Sequence, residues 1–577
     1  MKFILLVTYF VLGSCYTIQN AKHHTPNVII LIADDMGIGD VGCFGNDTIK
    51  TPNIDKIAKQ GVKFSHSLAG ENLCTPSRAA LLTGRYAIRS GLASGPNDQR
   101  VILHTSATGG LPSNETTFGR LYYEKGYRTA YFGKWHLGVH KHGVDFNHHP
   151  LNHGFSYYYG MPLTNLDDCG GDGDLTEVRY LLKIFGSVQA IRVCFVVAFV
   201  SSFALLVIPL NRKLKLLLII LSLIVAIIAG GNLAVVKVHQ HTLCVLMRNT
   251  EIIEQPVYLP TLTQRLTKEV TKYIKENKDR PFLTMVQYHK VHTALFVDKE
   301  FEGKSNHGLY GDVVQELDWS VGQILNLLED TGLRENTFVY FSSDHGPLLD
   351  HYVDGVAQGG WNGPFKGGKG TSWEGGIRVP TVAMWPAVIP SNTVVDDPVS
   401  QLDLFPTLMK ILHLPPADDR VIDGQDFLPV VTKSHEEIHE RFIFHYCGKS
   451  LQAVTYIPYP KDHIWKLHYN IPAWKDGKER CEGVCLCYPP HVIKLRPPLL
   501  FDLRSDPTED KPFSSMQDSY RTISMKIAKA VTKHKKTVVP VEDQLTVSKN
   551  IPNLNTLMCC NFPLCTCKEA DTEKAEL

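Results

Sequence analysis

Two apolar segments of this chain end in carboxylates. Residues 27–33, Asn-Val-Ile-Ile-Leu-Ile-Ala, form a continuous apolar run of strand length, and Asp34 and Asp35 follow at once. Residues 337–343, Thr-Phe-Val-Tyr-Phe-Ser-Ser, lead in the same way into Asp344 and His345. A strand without polar alternation is buried on both faces, as in a parallel sheet covered by helices. The expected class is therefore α/β. Open α/β sheets bind ligands beyond the carboxyl ends of their strands. Three aspartates converging there would form an oxygen-rich site suited to Ca2+ or Mg2+.

The 577 residues leave ample chain for a sizeable core, and 59 basic residues balance 58 acidic ones. That balance argues against nucleic acid as a partner. Residues 1–20 combine Lys2, an apolar run and the small residues Gly13 and Ser14, which reads as a secretory signal peptide outside the fold. The sequons at Asn46 and Asn114 fit a lumenal chain and are candidate glycosylation sites.

Residues 193–210 and 216–236 are uncharged apolar runs of eighteen and twenty-one residues. Each is long enough to span a hydrocarbon core of about 30 Å as a helix. Asn211, Arg212, Lys213, Leu214 and Lys215 lie between them, and a short basic loop belongs on the cytoplasmic side. Residues 184–238 are thus expected to form a transmembrane helical hairpin with both flanks in the lumen. Cys169 and Cys244 bracket it and, if joined, would staple its base.

The stretch Cys74-Thr75-Pro76-Ser77-Arg78-Ala79-Ala80-Leu81-Leu82-Thr83-Gly84-Arg85 resembles the signature of the sulfatase family. The resemblance implies that Cys74 is oxidised by the formylglycine-generating enzyme of the endoplasmic reticulum. The hydrate of the resulting aldehyde would supply the nucleophilic oxygen. It further implies that Asp34, Asp35, Asp344 and His345, with modified residue 74, hold one Ca2+, although imidazole is a poorer partner than an amide oxygen for so hard a cation. Gly133-Lys134-Trp135-His136 resembles the next block of the family, Val291-His292-Thr293-Ala294 another, and the glycine-rich segment 359–376 a third. By these matches Arg78, Lys134, His136, His292 and Lys369 join Cys74 as catalytic residues. Lys134, His292, Lys369 and Thr164 are expected to contact substrate, with His292 protonating the leaving alcohol and His136 taking a proton from the second hydroxyl. His289 is expected to be a surface neighbour.

Two other motifs fit their patterns only in part. Gly363 to Lys369 satisfies GxxxxGK, but Gly370 stands where a phosphate loop needs Ser or Thr, and no apolar strand precedes it. His435-Glu436-Glu437-Ile438-His439 is a literal HExxH in charged surroundings, and Ser434 with Glu437 reads more simply as a capping box.

Of fourteen cysteines, Cys15 leaves with the signal, Cys194 lies in an apolar run and Cys43 has no evident partner. Besides Cys74 there remain Cys169, Cys244, Cys447, Cys481, Cys485, Cys487, Cys559, Cys560, Cys565 and Cys567. An even set in a secreted chain points to disulfides over zinc. From about residue 440 short strands alternate with turns, followed by the Pro-rich stretch 489–498, a strand at 499–503 and a helix over 521–534. Phe501-Asp502-Leu503 and Asp506-Pro507-Thr508-Glu509 resemble a late block of the family.

The resemblance implies an alkaline-phosphatase-like α/β sandwich with a mixed sheet. The expected division is a catalytic domain at 21–183 and 239–435, interrupted by the hairpin, and a smaller antiparallel α+β subdomain at 436–577. The hairpin resembles that of membrane-associated members, which implies lipophilic sulfate esters such as steroid sulfates as small-molecule substrates; the alternatives are an arylsulfatase of another natural substrate, a phosphatase or phosphodiesterase of the same superfold, against which Cys74 argues, and a catalytically silent membrane scaffold. The expected address is the endoplasmic reticulum membrane, with the catalytic domain lumenal.

Overall fold

The computed structural model describes residues 25–143, 145–165, 169, 188–207, 209–353, 355–432, 440–474, 481 and 484–568. The expected signal segment 1–20 and the HExxH sequence at 435–439 lie outside the described residues.

A ten-stranded mixed sheet runs through the larger part of the chain. Its order is Thr393–Val395, Val62–Phe64, Thr381–Met384, Thr337–Ser343, Asn27–Ala33, Phe282–Gln287, Arg128–Gly133, Tyr157–Gly160, Leu246–Arg248 and Glu251–Glu254. The five strands from Thr337–Ser343 to Tyr157–Gly160 are parallel. Antiparallel partners flank them on either side. All seven residues of Asn27–Ala33 and all seven of Thr337–Ser343 are buried. Val28, Ile29, Ile30, Leu31 and Ile32 alone contribute on the order of 10 kcal/mol of burial, comparable with the net stability of a domain. The strand ends are therefore held by the best-buried part of the molecule.

Helices Leu262–Asn277 and Gly308–Asp330 precede two of these strands and supply the crossovers. In the second, Val313, Leu317, Val321, Ile324 and Leu328 recur at helical spacing, and all are buried.

The last part of the chain forms a four-stranded antiparallel sheet of Arg441–Cys447, Ser450–Ile457, Trp465–Pro472 and Val492–Asp502, in that order. Helix Asp518–Thr537 packs Tyr520, Ile527 and Val531 against Phe444, Tyr446, Val454 and Tyr456. The Pro-rich stretch was expected to precede its strand; instead the strand begins at Val492 and continues through Pro497 and Pro498. It is an edge strand, so prolines without an N–H leave no ladder bond unmade, and the register shifts beside them.

Helices Val188–Val207 and Arg212–Leu243 form a hairpin. Ala198, Ser202, Ala226 and Ala229 are buried, and the Ser202 and Ser222 hydroxyls bond at 2.7 Å. Val196, Phe199, Val200, Phe203, Leu217, Ile220, Ile224 and Ile227 face outward. The helical hairpin expected at 184–238 is thus present, but among the described residues no helix is long and apolar enough to cross a membrane, so its membrane crossing rests on the sequence pattern alone.

All ten cysteines of the expected set are paired, as Cys169–Cys244, Cys447–Cys487, Cys481–Cys485, Cys559–Cys565 and Cys560–Cys567. Cys43, Cys74 and Cys194 are free thiols.

Candidate active site

The parallel strands deliver their first residues past the sheet to one place, and backbone bonds hold them there. Asp344 N–H donates to the Ala33 carbonyl (3.0 Å), Asp34 N–H to Lys290 (2.8 Å), Val291 N–H back to Asp34 (2.7 Å), and Lys134 N–H to Gln287 (2.8 Å). Gly133 is needed here: its φ is +88°, and a Cβ would stand 1.9 Å from the Gln287 carbonyl oxygen. Helix Cys74–Thr83 faces these ends, buried at every residue, with Cys74 first. Thr75 donates to the His136 carbonyl (2.8 Å) and Ser77 to the Asp344 carbonyl (2.5 Å), which fastens the first turn to two strand ends.

Arg78 lies one turn beyond Cys74 and is fully buried. Its Nη2 donates to Asp344 Oδ2 (2.9 Å) and stands 3.3 Å from Asp34 Oδ1, while Nη1 donates to Gln287 Oε1 (2.6 Å) and the Lys134 carbonyl (3.2 Å). Lys134 Nζ donates to Asp34 Oδ2 at 2.5 Å, and Lys369 Nζ to both Asp35 oxygens at 2.7 Å. Three carboxylates thus meet three cations. Burial would raise Asp34, but Lys134 and Arg78 outweigh it and hold the carboxyl well below its usual range. Burial, with Asp34 beside it, pushes Asp344 up.

His345 Nδ1 donates to the Gly346 carbonyl (2.9 Å), which turns Nε2 inward. Nε2 stands 3.3 Å from Cys74 Sγ, 3.4 Å from Asp35 Oδ1 and 3.6 Å from Asp344 Oδ1. The donor atoms of Asp34, Cys74, Asp344 and His345 lie within 4.8 Å of one another, as do those of Asp35, Cys74 and His292. Ligands at 2.3–2.6 Å from a Ca2+ are separated by up to about 5 Å across it, so this largely carboxylate set fits such a cation. A +2 charge added to the balanced cluster would leave an excess suited to an anionic ligand. Burial works against ionisation of the Cys74 thiol, but Lys134, Lys369 and His345 prevail and bring it well below the ordinary thiol value.

The histidines divide by depth. His136 donates from Nε2 to the Ile102 carbonyl (2.8 Å), and its side chain is also within hydrogen-bonding reach of Cys74. Burial and then Lys134 push it down to about 4, so it is neutral at pH 7. His292 Nε2 stands 4.0 Å from Asp35 Oδ2, with one-tenth of its side chain exposed. His289, expected at the surface, is buried, and burial pushes its imidazole well down. The reason is that Tyr288 N–H still bonds the Ile32 carbonyl (2.9 Å), so the sheet continues and residue 289 lies beneath the site.

Thr164 is buried, its hydroxyl 3.4 Å from Asn165 Oδ1. Asn165 Nδ2 donates to the His292 and Ala294 carbonyls (3.4 and 3.0 Å), so this segment supports the His292 loop. Lys290 and Glu316, paired at 2.6 Å without exposure, support it from the other side. Asn165, Lys290, Glu316 and Gln287 were not singled out from sequence. Only Gln287 carries a signal, as a polar residue closing an apolar strand.

The segment carrying Lys369 is anchored from the C-terminal sheet. Glu374 takes Lys466 Nζ at 2.8 Å and Arg378 Nε at 2.7 Å. Glu509 accepts the Glu374 backbone N–H (2.7 Å) and takes His468 Nε2 (2.7 Å) and Lys466 Nζ (3.0 Å). Trp373 stacks on His468 with 4.3 Å between centroids. Of the two sequons, Asn114 is exposed. Asn46 is nearly buried, with its amide donating to the Gly39 carbonyl (2.8 Å), and a glycan there requires that amide to turn outward.

Residues 26–414 match the Sulfatase family, and residues 438–567 match the C-terminal region of aryl-sulfatase. The chain belongs to the sulfatase family. It is 41% identical to steryl-sulfatase of Homo sapiens over 584 aligned residues, covering all of this chain and 98% of the relative. It is 39% identical to arylsulfatase D of Homo sapiens, over 98% of this chain and 96% of that one. N-acetylgalactosamine-6-sulfatase of Canis lupus familiaris is 34% identical over 90% and 88%. The PsFucS1 sulfatase from Pseudoalteromonas sp. superposes with a TM-score of 0.66 at 22% identity, covering 94% of each chain, which supports the alkaline-phosphatase-like α/β fold. As a sulfatase, the protein hydrolyses sulfate esters.

Proposed function

We propose that this sulfatase hydrolyses lipophilic sulfate esters, steroid sulfates among them, using formylglycine made from Cys74 and a bound Ca2+. The observation that carries the reading is the position of Cys74 Sγ, at a helix start, 3.3 Å from His345 and surrounded by strand-end charges. Sγ stands where the oxygens of the hydrated aldehyde would lie. The charges that lower the thiol's pKa equally favour an anionic oxygen there. Asp34, Asp35, Asp344 and His345 would hold the cation, which when bound supplies charge to offset the anionic oxygens of the ester.

The places of the chain's own groups support the following roles. Lys134 and Lys369 each bond a carboxylate of the cluster, so their ammonium groups border the space a sulfate would fill. Arg78 positions the cluster through Nη1 and Nη2, which donate to Asp344, Gln287 and the Lys134 carbonyl. His292, on the exposed side, protonates the departing alcohol. His136 is neutral and reaches residue 74, and it takes the proton from the remaining hydroxyl so that sulfate departs. Thr164, through Asn165, keeps the His292 loop in register.

The hairpin spans the endoplasmic reticulum membrane, with the catalytic domain (21–183 and 239–435) and the subdomain at 436–577 in the lumen. Support comes from the outward apolar side chains of both helices and the basic loop between them. Maturation then depends on the formylglycine-generating enzyme of that compartment. The test is peptide mass spectrometry across residue 74 in protein from a secretory host, with turnover of sterol and sugar sulfates compared. Loss of sulfur with gain of an aldehyde, and preference for the sterol ester, are expected. An intact thiol in active protein overturns the nucleophile, and better turnover of sulfated sugars overturns the substrate class.

A further inference from the structure

The C-terminal segment carries bulky apolar side chains with no cover: Ile551 is 53% exposed, Leu554 85%, Phe562 76% and Leu564 67%. A lone exposed leucine needs no explanation, but four such residues within one short segment do. Their place in the fold indicates what covers them. His241, in the last turn of hairpin helix Arg212–Leu243, bonds through Nδ1 to the Leu564 carbonyl (3.0 Å). Gln255 Nε2 donates to the carbonyls of both His241 (2.9 Å) and Met558 (3.0 Å). Thr105 donates to the Thr242 carbonyl (2.6 Å), while the next residue, Ser106, accepts from Asn553 N–H (3.3 Å) and Thr556 Oγ1 (2.6 Å). The disulfides Cys559–Cys565 and Cys560–Cys567 tie the tip, and backbone bonds between Gln255 and Cys567 hold its end.

The segment is therefore a braced collar at the base of the hairpin. We infer that this collar is a second membrane-contact surface, on which Leu554, Phe562 and Leu564 enter the lumenal leaflet beside the hairpin. The inference rests on the hairpin spanning the bilayer and adds to it a fixed orientation of the catalytic domain. Two points of attachment, a helix pair and an apolar rim beside it, restrict tilting of the domain where one would not. Interfacial apolar side chains inserted to the depth of the headgroups act in this way.

The test uses the full chain in phosphatidylcholine nanodiscs, with photoreactive benzoylphenylalanine at position 554, 562, 199 or 278 in turn. Position 199 reports the hairpin. Position 278 lies just before the amino end of strand Phe282–Gln287, away from the strand ends that carry the site. Each variant is first shown to turn over nitrophenyl sulfate, so that failure to fold is detected. Lipid adducts at 554 and 562 comparable with those at 199, and none at 278, are expected. Absence of adducts at 554 and 562 with adducts at 199 overturns the collar and leaves the hairpin in place. Absence at all three overturns both.

Discussion

Lys466 and Glu374 form an ion pair at 2.8 Å with neither side chain exposed, and this pair joins the C-terminal sheet to the turn that carries Lys369. Lys466 also serves Glu509 at 3.0 Å. Removing one partner of a buried network leaves charge without compensation, at a cost of about 3–5 kcal/mol. Lys466→Met is therefore expected to lose about that much stability in urea denaturation and to raise KM for nitrophenyl sulfate as the Lys369 loop loosens. A change within about 1 kcal/mol, as for an exposed pair, would show that Arg378 and His468 suffice.

Cys74→Ala removes the thiol whose oxidation would give the aldehyde, while leaving the helix start and its Thr75 and Ser77 bonds in place. Turnover should fall to background with thermal unfolding little changed. Activity near that of the parent protein would end the formylglycine reading.

His292→Gln is expected to slow alkyl and sterol sulfates far more than nitrophenyl sulfate. An acid matters in proportion to the basicity of the leaving oxygen, and general acids typically contribute about 10²–10⁴-fold. An equal loss on both ester types would remove His292 as the acid.

Asp35 takes both contacts from Lys369 and lies in the cluster with Cys74 and His292. Asp35→Asn keeps the shape and removes a charge, so Ca2+ affinity should fall by roughly tenfold or more. Calcium titration of chelator-stripped protein measures this, and in the parent protein stripping should abolish activity that Ca2+ restores. Unchanged affinity in the variant would take Asp35 out of the shell.

His534 stacks on Phe444 at 3.9 Å and bonds the Tyr446 hydroxyl at 2.9 Å, and burial pushes it down to about 4. Between that value and the ordinary 6.5, the unfolded chain binds the proton that the folded chain refuses. The neutral ring's contribution is complete above pH 6.5 and declines as pH falls toward 4, by up to about 3 kcal/mol. His534→Gln should flatten that part of the stability profile, with urea midpoints at pH 7 and pH 4.5 as the measurement. A parallel decline in both proteins would assign the acid sensitivity elsewhere.

How far the sequence could be read depended on whether a feature was local. Asp34, Asp35 and Asp344 were legible because each follows an unbroken apolar strand, and the sheet brings such ends together. Cys169 and Cys244 were legible as a pair because they bracket the hairpin. His289 was misplaced because its burial comes from Lys134, Asp34 and Arg78, which reach it from other strand ends and a helix and leave no mark in the local sequence. Pro497 and Pro498 fall inside a strand because that strand is an edge, which depends on strand order. The pairing of Glu374 with Lys466 had no local trace, since two charged residues in separate domains become partners only after both sheets exist.

The Cys169–Cys244 bridge closes the hairpin excursion into a covalent ring at its point of departure from the sheet. The strands on either side, Tyr157–Gly160 and Leu246–Arg248, are neighbours in that sheet. A protease that cut the exposed loop between the two helices would therefore release nothing. The two fragments would run separately on a gel after reduction and as one species before it, still sharing a hydrogen-bonded sheet and an intact active site.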